Sequence, residues 1–136
     1  MWRFIKTYPL SIIFVLIVTY LSLSQPPKVI IPLFRHWDKV VHFIMYGGLS
    51  GVIWLELLLK RRREKTGKTF FINGAVIFPL LFGGMMEMCQ HYFTRYRSGD
   101  WWDFLSNMEG VVFATLIAWF ILRPLILNKP VDKKDD

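Results

Sequence analysis

Nine residues of types that do chemistry recur at spacings that let them act together: Asp38, His42, Tyr46, Glu87, Gln90, Arg97, Asp100, Asp103 and Asn107. Carboxylates beside an imidazole can exchange protons. An arginine with carboxamides can hold an anionic group, and carboxylates can hold an ammonium. Glu87, His42 and Asp103 are the candidate acid–base groups. Asp38, Tyr46, Gln90, Arg97, Asp100 and Asn107 are the candidate binding groups. Metal-ligand spacings such as His-x-x-x-His or Cys-x-x-Cys are absent from the sequence, and no metal or cofactor is expected.

These residues sit among long uncharged runs. The chain has 136 residues, 54% of them hydrophobic and 17% aromatic. Ordinary soluble domains carry roughly 45–50% apolar residues. No Lys, Arg, Asp or Glu lies between Lys6 and Lys28 or between Lys39 and Glu56. Only Glu87 interrupts Lys68 to Arg95, and only Glu109 interrupts Asp103 to Arg123. Each window approaches the roughly 20 residues needed to cross a bilayer. The pattern predicts an all-α polytopic membrane protein, a compact bundle of four transmembrane helices forming one domain over residues 7–127. The spans are expected at about 8–24, 39–59, 69–93 and 103–125, followed by a charged cytoplasmic tail at 128–136. The first block also has the layout of a signal peptide, but Tyr20 and Pro26 make a poor cleavage site.

The net charge of +7 does not point to nucleic acid, because the basic residues lie in loops and tails beside apolar spans. The segment Lys60–Lys68 holds six basic residues and one acidic one. By the positive-inside rule it is cytoplasmic, which predicts N-in and C-in topology. Arg3 and Lys6 before the first span agree with that orientation. Trp37, Tyr92, Tyr96, Trp101 and Trp102 then gather at the outer end as an interfacial belt.

Helical phasing collects the candidates. Asp38, His42 and Tyr46 share one face of the second span, and Gly83, Gly84, Glu87, Gln90 and His91 one face of the third. Asp103, Asn107, Gly110 and Ala114 share one face of the fourth. Glu87 lies roughly 27 Å from the cytoplasmic start of its helix at about 1.5 Å per residue, so all three polar stripes reach the outer interface. An outward-facing polar pocket is expected there. Structural readings stand beside this one. His42 can donate to Asp38 one turn away. Gln90 and Asn107 can be interhelical glue. Ser98-Gly99-Asp100 can form a turn and helix cap. Glu56 can pair with Lys60. Cys89 is expected to pack between helices. Glu109 falls outside the cluster and has no assigned role.

Two motifs in this set resemble VanZ-like bacterial membrane proteins. The first is Asp38-Lys39-Val-Val-His42-Phe with Tyr46. The second is Glu87-x-x-Gln90, an arginine, then Asp103-x-x-x-Asn107-x-x-Gly110. The arginine is Arg95 or Arg97; Arg97 better keeps a tight turn before Asp100-Trp101. The resemblance covers residues 38–115. Ser106 and Glu109 depart from the pattern, where a small and an apolar residue are usual. The resemblance implies a bacterial cell-envelope setting in the cytoplasmic membrane and an association with teicoplanin, a glycopeptide antibiotic, rather than a defined reaction.

Two function classes follow. The protein could be an enzyme acting on a lipid-linked envelope component. Alternatively, it is a non-catalytic binding module for such a component or for another membrane protein. Membrane lipids are expected partners in both cases. An ion path is disfavoured, because nothing polar continues through the inner half apart from Glu56.

Overall fold

The computed structural model describes residues 2–24, 36–63, 68–95 and 99–128. Among these there are helices and no strands. Two helices open the chain, α1 (Trp2–Thr7) and α2 (Pro9–Leu23). The next, α3, runs Trp37–Arg63. A third rod joins α4 (Lys68–Ile72), a π-helical turn at Asn73–Ile77 and α5 (Phe78–Phe93). The last joins α6 (Trp101–Ile117), a π-helical turn at Ala118–Leu122 and α7 (Arg123–Leu127).

Three rods are long and apolar enough to cross a membrane: Trp37–Arg62, Phe70–Phe93 and Trp101–Leu127. This corrects the expectation of four spans. The apolar helix expected at 8–24 is the 15-residue α2, short of the roughly 20 residues a crossing needs. The reason is local. Tyr8 leaves helical geometry (φ −129°, ψ 51°), and Pro9 restarts the chain as the first residue of α2. Proline suits that position because the N–H it lacks would be unpaired there anyway.

Central in the bundle is α3, which packs against α2, α5 and α6. Half of its spanning window is buried, against 22% for the last rod, Trp101–Leu127. Its closest neighbour is α6, and the two run parallel. Lys39 meets Asp103, Gly47 meets Gly110, and Trp54 Nε1 donates to Thr115 Oγ1 at 3.1 Å, so the paired positions rise together. At the crossing the backbones touch. A Cβ on Gly47 would lie 3.1 Å from the Gly110 carbonyl oxygen, and one on Gly110 would lie 2.9 Å from the Gly47 amide nitrogen. Small residues permit this approach, on which association of apolar helices within lipid depends.

The other helices attach by specific polar groups. Glu56 receives the amides of Leu10 and Ser11 at 2.8 and 3.1 Å, and the Ser11 hydroxyl as well. It therefore caps the start of α2, a role its spacing from Lys60 did not suggest, while Lys60 donates to the Tyr8 hydroxyl at 3.3 Å. Phe14 of α2 lies over Gly48. Pro79 has no N–H to offer the carbonyl of Ala75 one turn earlier. The buried Ser50 hydroxyl of α3 donates to that carbonyl at 2.6 Å. Each π-helical turn ends two residues before a proline, Pro79 or Pro124, where the regular hydrogen-bond ladder cannot continue.

The glycine contact predicts unequal effects of one added methyl group. Gly110→Ala should lower stability by about 1–3 kcal/mol through overpacking. Gly51→Ala, whose Cβ would meet Ala114 at an ordinary 3.9 Å, should be neutral or stabilising. Thermal unfolding of the two purified variants in detergent checks the ordering. Ser50→Ala strips the Ala75 carbonyl of its buried donor and should cost about 1–3 kcal/mol in the same assay.

Candidate functional site

The parallel pairing of α3 with α6 brings His42 beside Asn107. Nδ1 of His42 lies 3.1 Å from Asn107 Oδ1 and 3.4 Å from Glu87 Oε1. Both neighbours are acceptors, so Nδ1 carries the hydrogen. The Asn107 amide donates to the same Glu87 oxygen at 3.3 Å. Nε2 of His42 faces Asp103 Oδ2 at 3.8 Å, beyond direct hydrogen-bond length but within ion-pair range. The imidazole thus stands between a carboxylate of α5 and a carboxylate of α6. Asp38, the partner that helical spacing allowed, pairs with Lys39.

Lys39 organises the rim. Its Nζ lies 3.0 Å from Asp103, 3.3 Å from Asp38 and 3.6 Å from Asp100. One ammonium therefore links three carboxylates from the N-terminal ends of α3 and α6. Lys39 belongs to the first motif but is not among the candidate site residues that the sequence offers. The signal for it was its position one turn before His42 on the same face. Asp100 also caps α6, accepting the amide of Trp102 at 3.2 Å. Asp38 stays at the periphery, its side chain 52% exposed.

Gln90 takes up the interhelical reading that stood beside its candidate binding role. Its amide donates to the Ser22 carbonyl at 2.8 Å, fastening the C-terminal turn of α2 to α5. Tyr46 lies against Gly83, where a Cβ would be 3.1 Å from its ring and 3.3 Å from the Asn107 amide nitrogen. The hydroxyls of Tyr46 and Ser22 are buried with no hydrogen-bond partner. Buried groups of this kind are rare, and each hydroxyl has room in its chemistry for a water or another polar group. Ser22, in a helix without charges, gave no signal in the sequence.

The sequence suggested an open pocket at these residues. The structure instead packs them into the bundle interior: His42 is 3% exposed, Gln90 2% and Asn107 0%, with Glu87 and Asp103 also buried. The accessible feature is a lateral groove of about 450 Å³ between α5 and α6. Glu87, Met88 and Tyr92 form one side, and Asp100, Trp101 and Phe104 the other. Glu87 is the candidate residue shared by the buried layer and the groove. Among the described residues no His, Cys, Asp and Glu side chains are grouped as a metal site. Arg97 lies outside the described residues. Arg95 and Glu109 are exposed, and Glu109 is outside the cluster, on a different face of α6 from Asn107.

A buried polar layer inside three long apolar helices defines a multi-pass membrane protein. The chain belongs to the VanZ/LLP1 family, whose sequence profile matches residues 2–123. It is similar to an uncharacterized protein of Schizosaccharomyces pombe, 30% identical over 113 residues that cover 83% of this chain and 64% of the relative. The chain therefore spans less than two thirds of that relative's length. No solved structure matches it.

Asn107 predicts a measurable outcome for the layer. Asn107→Leu removes the amide that bridges Glu87 and leaves the buried polar groups around it short of a partner. A loss of about 1–3 kcal/mol is expected, read as a lower denaturation midpoint in detergent.

Proposed function

We propose that the protein is a VanZ-like component of the cell envelope that binds a lipid-linked envelope molecule in the groove between α5 and α6, and through it affects susceptibility to glycopeptides such as teicoplanin. The observation that carries this reading is the double membership of Glu87. It lines the lateral groove and also contacts His42 and Asn107 in the buried layer. A groove that opens sideways suits a ligand anchored in the bilayer. Trp101, Phe104 and Tyr92 provide apolar and aromatic walls, with Glu87 and Asp100 as polar groups. If the bound molecule reacts, Glu87 is the group placed to exchange a proton with it, with His42 and Asp103 behind it setting its charge environment. On this reading the cluster end faces outward, as the basic Lys60–Lys68 end implies by the positive-inside rule, and the membrane is the bacterial cytoplasmic membrane.

A second reading has its own support. The side chains of His42, Asn107 and Glu87 engage one another within a tightly packed interior. That arrangement also suits a non-catalytic interaction module, in which the layer holds helices together and another membrane protein docks on the surface.

Conservative substitutions separate the two. Glu87→Gln keeps size and hydrogen bonding while removing the charge. The proposed function expects near-normal membrane levels of the variant, with the effect of the gene on teicoplanin susceptibility lost and lipid-linked wall precursors matching those of a deletion strain. Trp101→Ala, on the exposed wall of the groove, should give the same phenotype. Normal levels with an intact phenotype in both variants would sink the proposal. Loss of the Glu87→Gln protein from the membrane alongside a silent Trp101→Ala would favour the structural module.

A further inference from the structure

At the opposite end of the bundle a second groove, of about 440 Å³, is built around the break in the last rod. Trp119, Phe120, Arg123, Pro124, Leu127 and Asn128 line it. Its origin is the proline. Pro124 cannot donate to the ladder, the preceding turn widens to π geometry with the Arg123 amide bonded to the Ala118 carbonyl, and the helix surface is recontoured there. Widened turns of this kind are frequent at binding sites.

Arg123 is the charged group of this groove. Its guanidinium lies 4.4 Å over the Trp119 ring. Stacking holds the plane of the fork while leaving its N–H edge available. The ion pairs among the described residues form around Lys39 and His42, and Arg123 belongs to none of them. Asn128 closes the last turn of α7 and adds an exposed carboxamide. The rest of the lining is apolar. Because α3 runs parallel to α6 and packs on α7, the groove shares its end of the bundle with Lys60, Arg61 and Arg62. Lys60 and Arg61 are themselves held over aromatic rings, Lys60 at 5.3 Å from Tyr8 and Arg61 at 5.3 Å from Phe71.

We propose that this groove seats the phosphate headgroup of an anionic phospholipid, gripped by Arg123 and Asn128, with acyl chains against Phe120 and Leu127. Charge complementarity selects the occupant. A guanidinium fork matches a phosphate diester bidentately, and the neighbouring cations raise the concentration of anionic lipid at this end. The apolar walls favour a lipid over free phosphate, which would leave Phe120 and Leu127 uncovered. The site is independent of the α5–α6 groove and uses none of its residues.

The test uses the full chain purified in mild detergent. Phosphatidylglycerol, phosphatidylcholine and inorganic phosphate are added separately, and bound lipid is counted by native mass spectrometry. Phosphatidylglycerol should bind at least about fivefold more tightly than phosphatidylcholine, the gain expected of one basic group meeting an anionic lipid. Inorganic phosphate should not compete at millimolar concentration. Arg123→Gln should abolish the preference, while Arg123→Lys should retain part of it. Equal binding of the two lipids, competition by inorganic phosphate, or an unchanged preference in Arg123→Gln would overturn the proposal. If Arg123→Gln fails to fold, a photoreactive phosphatidylglycerol decides with the unmodified protein. Labelling between Trp119 and Asn128 supports the site, and labelling confined elsewhere refutes it.

Discussion

The polar layer depends on the backbone contact of α3 with α6 at Gly47 and Gly110. No side chain separates the two helices there, so their register is set by main-chain atoms that cannot shift without a clash. Register at that point decides what meets on either side. Toward one end, Lys39 reaches Asp103 and His42 reaches Asn107. Toward the other, Trp54 reaches Thr115. Shifting α6 by a single residue would rotate Asn107 by about 100° away from His42 and leave both buried groups unsatisfied. The glycines act on the chemistry of the layer by holding it in line.

Polar groups inside apolar helices are costly unless they answer one another, and several here do so. Asn107 supplies an acceptor to His42 and a donor to Glu87, two roles that a carboxamide fills together from its separate oxygen and nitrogen. Lys39 balances carboxylates from two helices. Glu56 and Gln90 hold opposite ends of α2 through hydrogen bonds to its backbone, so a helix too short to cross a bilayer is still fixed at both ends. The hydroxyls of Tyr46 and Ser22 do not; they are buried beside the network without a hydrogen bond. The prolines follow the same logic: each interrupts a ladder, and where the freed carbonyl is buried, Ser50 answers it.

The VanZ/LLP1 profile and the S. pombe relative bear on kinship, not on a ligand. They carry the family and the multi-pass character. A bacterial envelope and a glycopeptide phenotype belong to the proposed function and come from the family resemblance, while a lipid-linked ligand is proposed from the groove beside Glu87.

The linear chain determined a good deal by itself. Uncharged windows mark the three long spans, because every charge in lipid is expensive and its absence over about 20 residues is informative. Helical phasing brought His42, Glu87, Asp103 and Asn107 to one end, because side-chain positions three, four and seven apart are a local property of the helix. Asp100 was legible as a cap for the same reason. What phasing cannot carry is the relation between helices. It did not reveal that Lys39 joins the rim, that Gln90 serves α2, that Glu56 caps a helix 45 residues away through Ser11, or that the cluster is a closed layer with a groove at its side. It also counted the apolar run at 8–24 as a span, although the helix it forms, Pro9–Leu23, has 15 residues. Those outcomes were decided by tertiary packing, because the rotation and register of one helix against another are set by contacts between residues far apart in the sequence.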